Sequence, residues 1–225
     1  DTRQRFLDKR EMMMLLGQKV TNTANVSVEG SEGYFAAIEN RGLVTNGYIT
    51  ELADLDLIIK ELDKQGASPE YALYVDRTQD LLLDDLVAKG NAGSLTAGVA
   101  TQYGAFNNSS DMAIKLGFKS FGRGGYTFHK HDWKLLNDPT LLAEANFAGV
   151  AIPMATVVDP KSGDRNPSLE INYKASNGYS REMEHWLTGS VLGASNATAD
   201  LTQFNYRSEV ALITRAANRH VVITK

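Results

Sequence analysis

Between Thr50 and Leu86 the spacing of apolar residues changes period twice. Leu52, Leu55, Ile58, Ile59 and Leu62 recur every three or four positions and predict an amphipathic helix. Thr50 supplies an N-cap, and Glu51 and Asp54 put negative charge into the positive first turn. Lys64 and Gly66 mark the other end, and Pro69 blocks a restart. Tyr71-Ala-Leu-Tyr-Val75 then reads as a short buried strand. Asp76-Arg-Thr-Gln79 is a turn with capping chemistry, and Leu81, Leu82 and Leu86, with Gly90 as the stop, outline a second helix.

The rest of the chain is organised around this helix–strand–helix core. Residues 3–16 predict a helix with Phe6, Met13 and Leu16 on one face, ended by Gly17. The Met12-Met13-Met14 run reads as adaptable packing. Residues 20–49 are punctuated by Gly30, Gly33, Gly42 and Asn46-Gly47, and Tyr34–Ile38 fits either helix or strand. Gly90 to Ser110, rich in small and polar residues, predicts a long loop of the kind that carries function. Ala113–Phe118 and Tyr126–His131 read as strands joined through Phe121-Gly-Arg-Gly-Gly125. A helical turn follows at Leu141–Ala145. Val150–Asp159 and Ser168–Lys174 alternate as strands around the turn Asp159–Arg165. Ser180–Leu192 fits no single period, Phe204–Thr214 alternates strongly, Arg215–Asn218 turns, and His220–Thr224 closes as a strand. The class is α+β with mixed sheets.

Composition narrows the function classes. The 225 residues are 43% hydrophobic with a net charge of −4, enough for one large domain or two small ones. A mildly acidic chain is poorly suited to gripping nucleic acid by its phosphates. It has no cysteine, which removes disulfides and thiolate metal sites and fits a reducing compartment. No apolar run is long enough to span a bilayer, and there is no secretory signal. Asn25, Asn107, Asn108 and Asn196 match the N-x-Ser/Thr pattern, which carries little weight without a secretory route. The chain opens at Asp1 in what reads as a helix already under way, so a piece of a longer protein is expected.

Candidate chemistry is sparse. His129 and His131, two apart on a strand, point to one face, and Asp132 adjoins them. A metal site would need a third ligand, and only the distant His185 or an unspecified carboxylate offers one. A polar sheet face or subunit contact is the simpler reading. Phe121-Gly-Arg-Gly-Gly-Tyr126 is glycine-rich, but no Lys-Ser/Thr and no helix follow, so a tight strand connection is expected over a phosphate cradle. Asp84-Asp85 and Asp54/Asp56 are carboxylate pairs on amphipathic helices, expected on solvated faces or against a neighbour's cations. Neither Gly-x-Ser-x-Gly nor His-Glu-x-x-His occurs.

The order of elements carries a resemblance. Lys9-Arg-Glu-Met-Met-Met-Leu-Leu-Gly17 ends a helix, and a glycine-rich passage holding Gly42-Leu43 follows. Then come the unit of residues 50–86 and the closing stretch from Tyr206 to Lys225. This resembles the C-terminal two thirds of the major capsid proteins of tailed bacteriophages of the Hong Kong ninety-seven type. Within that family it is most similar to the capsid proteins of crAss-like gut phages. Glu11, Gly17 and Glu209 are the best-placed single matches. The family's N-terminal arm and extended loop have no counterpart and would lie before Asp1.

The resemblance implies a peripheral domain of residues 1–42 and 215–225, with the end of a spine helix, and an axial domain of residues 43–214. It implies a non-enzymatic virion subunit, assembled in the host cytoplasm, that forms an icosahedral shell around phage DNA. Its partners would be identical subunits in hexamers and pentamers, portal and auxiliary or decoration proteins, and packaged DNA nearby without specific grip. No membrane, cofactor, metal or catalytic residue is implied. The alternatives are an encapsulin-type compartment shell with the same fold, a decoration protein, and a metal-dependent hydrolase using His129 and His131.

Overall fold

The computed structural model describes residues 2–19, 30–92, 119–142, 145–189 and 202–225. In chain order its elements are α1 (Thr2–Leu16), α2 (Tyr34–Arg41), β1 (Leu43–Val44), α3 (Leu52–Lys64), β2 (Glu70–Val75), α4 (Arg77–Ala92), β3 (Ser120–Arg123), β4 (Tyr126–Asp132) and β5 (Phe147–Pro153). They continue as β6 (Thr156–Val158), β7 (Arg165–Pro167), β8 (Leu169–Tyr173), β9 (Ala175–Ser176), β10 (Tyr179–Ser180), β11 (Glu184–Gly189), β12 (Thr202–Arg207), β13 (Val210–Thr214) and β14 (Val221–Thr224). The chain forms two compact units, residues 37–168 with 215–225 and residues 1–36 with 169–214.

The first of these units is built on a six-stranded sheet in the order β1-β14-β5-β2-β4-β3. β1 runs parallel to β14 and β2 parallel to β4, while the other neighbours are antiparallel, so the sheet is mixed. The parallel β2–β4 pair needs a crossover, and α4 forms part of it. The periodic stripe predicted for α3 does its work here. Leu55, Ile59 and Leu62 are buried against Tyr71, Leu73 and Val75, the inward positions of β2. Aromatic rings continue this layer, with Phe128 stacked 5.3 Å from Phe121 and 5.7 Å from Tyr71 between ring centroids. The architecture is α+β.

Several local expectations shift. The N-cap of α3 is Glu51, one residue later than expected, because the Asp54 carboxylate accepts backbone N–H bonds from both Thr50 and Glu51 at 3.1 and 3.0 Å. Asp76 caps α4 through Oδ1, which accepts from the Gln79 N–H at 2.7 Å. Gly90 lies inside α4 instead of past its end. Leu81 faces outward, and Leu83 and Leu86 are the buried positions. Tyr34–Ile38 is helical. A 3-10 turn that the periodicity did not predict forms at Lys134–Asn137, and the helical turn expected at Leu141–Ala145 lies partly outside the described residues.

The strand read from Val150 to Asp159 is two strands. β5 ends at Pro153, whose carbonyl accepts from Ser168 Oγ at 2.7 Å, and β6 turns away to pair with β7. The turn between β6 and β7 contains Gly163 at φ 76°. The strand read from Phe204 to Thr214 also divides, into β12 and β13 at Ser208-Glu209. Of the ambiguous stretch 180–192, Ser180 ends β10, Glu184–Gly189 forms β11, and 190–192 fall outside the described residues. The loop at 93–110 and the strand at 113–118 fall outside the described residues.

The compact units also group the chain differently from the expected division of 1–42 with 215–225 and 43–214 apart. The registers show why. β14 lies between β1 and β5, with Val222 opposite both Val44 and Val150, so residues 215–225 belong with 37–168. The described strands of residues 169–214 pair as two-stranded ribbons.

Candidate assembly surface

The unit of residues 1–36 and 169–214 is made of a helix and ribbons. β8 pairs β13, β9 pairs β10, and β11 pairs β12, all antiparallel. The β9–β10 hairpin turns on Asn177-Gly178, both at positive φ (51° and 81°), as a two-residue turn of the type that matches strand twist.

The three ribbons meet at one junction. The Lys174 N–H donates to the Glu209 carbonyl (3.0 Å), the Arg181 N–H to the Lys174 carbonyl (2.9 Å), and the Glu209 N–H to the Arg181 carbonyl (2.9 Å). The ring of backbone bonds is reinforced by side chains. Glu209 Oε1 accepts from Arg181 Nη1 at 2.5 Å, and Lys174 Nζ lies 3.4 Å from Oε2. The guanidinium of Arg181 first, and then Lys174, hold the Glu209 carboxyl below the usual carboxylate range. Glu209 is thus placed where one acid serves three strand ends.

These ribbons carry apolar faces. On β8–β13, Ile171 opposes Leu212 and Tyr173 opposes Val210, so four large apolar side chains share one side. Ile171 and Tyr173 are each about half exposed, at 52% and 51%. On β11–β12, Leu187 opposes Phe204 on one face, and Phe204 is 63% exposed. On the other face Arg207 lies over Trp186 and pairs with Glu184. α1 meets this unit through Phe6 and Tyr206, 5.7 Å apart, and through Arg10, which donates to the Glu182 carbonyl. No side chain of α1 or of β8 to β13 is buried among the described hydrophobic residues. The buried hydrophobic residues described in this unit are Tyr34 and Phe35, at the start of α2.

Gly17, expected as a helix stop, has a closer constraint. Its carbonyl accepts from the Gly33 N–H at 2.6 Å, and a Cβ on Gly17 would stand 2.5 Å from the Met13 carbonyl. Glu11 sits exposed on α1.

The residues weighed for chemistry are dispersed into structural roles. His129 and His131 do share a face, in an open 610 Å³ concavity with Tyr74, Lys119, Ser120 and Met154. His131 stacks on Tyr74 at 5.1 Å. His185 lies on β11, lining a cavity with Arg3, Met183 and Tyr206. Among the described residues no group of three or more His, Cys, Asp or Glu is placed to hold a metal ion. Phe121–Tyr126 is a tight strand connection, as expected, but Phe121–Arg123 already belongs to β3, so the turn of this hairpin is Gly124 and Gly125 at φ 58° and 84°. Its Arg123 grips Asp56 with a bidentate fork at 2.5 and 2.7 Å, which holds the Asp56 carboxyl low. Asp85 is exposed.

Two features escaped sequence reasoning. Lys130 projects inward from β4, between Asp80 at 2.7 Å and Asp84, while Arg77 ties Asp80 to Asp132. Asp80 and Asp84 stand one helical turn apart, so both can reach one cation, and that spacing was the available signal. Gln79 is fully buried, and its amide pairs with the backbone of Ile49: Oε1 accepts from the N–H at 2.8 Å and Nε2 donates to the carbonyl at 3.0 Å. No local pattern points across those thirty residues.

No helix among the described residues is long and apolar enough to cross a membrane. No family model matches the chain, and no curated protein matches it. Among solved structures, a chain titled Gordonia phage Cozz is similar at a TM-score of 0.49 and 10% identity, over 97% of this chain and 59% of its own. The chain therefore spans 59% of the length of that protein.

Proposed function

We propose that this chain is a non-enzymatic shell subunit: a major capsid protein of the Hong Kong ninety-seven type that self-assembles around phage DNA. The observation that carries the reading is the half-exposed apolar face of ribbon β8–β13 together with helix α1, which buries no side chain among the described residues. A lone two-stranded ribbon is marginal in water, and exposed apolar faces of this kind mark contact surfaces. One unit with a closed core and one with open apolar faces is the division of labour that symmetric assembly asks of a subunit. Of the paired carboxylates, Asp54 is committed to a cap and Asp56 and Asp84 to ion pairs, which supports a structural role. The net charge of −4 suits a surface that lies near packaged DNA without binding it. On this reading the partners are identical copies in hexamers and pentamers, with portal and auxiliary or decoration proteins at special positions, and the destination is the virion.

Negative-stain electron microscopy of the full-length protein, expressed with and without its neighbouring genes, tests the reading. Closed shells, tubes or free capsomers are expected. A monodisperse monomer under both conditions would overturn it.

A further inference from the structure

Among the exposed residues of α1, Thr2, Arg5, Lys9, Met13 and Leu16 recur at steps of three and four and form one stripe along the helix, while Arg3, Gln4 and Glu11 are exposed off that line. The stripe is basic in its first half and apolar in its second, and Met13 is 73% exposed. Arg3, Arg5, Lys9 and Arg10 outnumber Asp8 and Glu11, so the helix as a whole is positive.

The complementary surface is present on the same chain. In the unit of residues 37–168 and 215–225, a groove of about 410 Å³ runs between the edge strand β1 and α3. Its floor is apolar, from Val44, Leu57 and Ile58, and its rim carries Asp54 and Glu61. Leu57 is 61% exposed, although it sits in the middle of a well-formed helix. Glu51, Asp54, Asp56, Glu61 and Asp63 outnumber Lys60 and Lys64, so α3 and its cap are negative. Glu61 has Lys64 as an exposed partner at 2.5 Å, a pair of the kind that exchanges easily.

We propose that α1 of one copy docks into the β1–α3 groove of a second copy. Met13 lies on Leu57, and Arg5 and Lys9 lie against the acidic rim. The proposal rests on the shell reading and names one of its contacts. The spacing fits in either helix direction. Lys9 and Met13 are separated by about 6 Å of rise, as are Leu57 and Glu61. Charge complementarity selects a second copy as the occupant: the basic and apolar stripe of α1 matches the groove with an acidic rim and apolar floor. Because two different surfaces meet, the contact is head-to-tail. It passes from copy to copy and closes into a ring when the rotation allows.

The chain has no cysteine, so a single introduced pair reads out the contact cleanly. Copies carrying Met13→Cys are mixed with differently tagged copies carrying Leu57→Cys, under a mild oxidant, and run on a non-reducing gel. The expected result is a mixed disulfide dimer. A control pairing of Met13→Cys with Leu81→Cys, an exposed position on α4, should give little of it. Adding Arg5→Glu and Lys9→Glu to the Met13→Cys copy should cut the yield at least tenfold, since like charges then face each other. All these side chains are exposed, so the fold is left intact. A Met13–Leu57 yield no greater than that of the control overturns the docking. If microscopy still shows shells, the shell reading survives that result. If it shows none, the shell reading falls separately.

Discussion

Gln79→Met is the sharpest perturbation of the core. Methionine keeps the length and volume of glutamine but can neither donate nor accept strongly. In the structure Gln79 is 0% exposed and Ile49 is 3% exposed, so water cannot replace the amide. The change orphans the Ile49 N–H and carbonyl, bonded to Gln79 at 2.8 and 3.0 Å. Each buried orphan costs about 1–3 kcal/mol, so the loss should be about 2–6 kcal/mol. With a urea m-value of about 2 kcal/mol/M, the midpoint falls by about 1–3 M. The two tryptophans, Trp133 and Trp186, lie one in each unit. A Trp186→Phe background therefore makes Trp133 the reporter for the unit that holds Gln79. Gln79→Glu adds a second test. Its carboxylate can accept from the Ile49 N–H but has nothing to donate to the carbonyl, and protonation restores the donor. The folded pKa of the new side chain is thus raised above its unfolded value of about 4.3. The variant should match the wild type best below that value and lose ground as pH rises through the raised one. A Gln79→Met penalty under about 1 kcal/mol, with the unit still folded, would refute the reasoning.

Two further perturbations follow from the same sheet. His220 is fully buried, and burial holds its pKa down to about 4, against the opposing pull of the Arg215 carbonyl 3.2 Å from its ring nitrogen. A depressed folded pKa gives stability that is whole above the unfolded value of about 6.5 and is lost as pH falls towards 4. The loss should approach about 3 kcal/mol, and His220→Gln should flatten this limb of a stability-against-pH curve from urea titrations. Gly149→Ala puts a Cβ 2.6 Å from the Tyr74 carbonyl and 2.9 Å from Val75 Cγ1, where sheet backbone cannot yield. It should cost about 2–3 kcal/mol, whereas Gly122→Ala, whose Cβ meets nothing nearer than 3.5 Å, should stay within about 1 kcal/mol by thermal melting.

What the sequence revealed, it revealed through local periodicity. α3 and β2 were legible because apolar spacing and the Gly66 stop act within one element; α4 was legible in its presence but not in its end, since Gly90 lies inside it. The Gly124-Gly125 hairpin was legible because positive φ at two successive residues leaves few alternatives. What was hidden depends on distance along the chain. The break in the strand read from Val150 to Asp159 follows from Pro153, but the partner that draws its carbonyl, Ser168, lies fifteen residues away. The break at Ser208-Glu209 is invisible to alternation, because both halves keep the same period while changing partners. Lys130 looked like an ordinary charge on a strand until α4 supplied two carboxylates above it. Of the paired carboxylates, Asp54 holds a cap, Asp56 the hairpin arginine and Asp84 that lysine, while Asp85 stays on the solvated face.

The junction at Lys174, Arg181 and Glu209 has a consequence for how such a chain can change over time. Three ribbons leave it as independent spokes, each closed on itself by antiparallel pairing. An arm can lengthen or shorten at its far end without disturbing the hub, provided it changes by two residues on each strand. Any odd step would turn every side chain beyond it to the opposite face. The reach of each spoke is therefore adjustable in fixed increments of about 7 Å, while the three strand ends at the hub stay where Glu209 holds them.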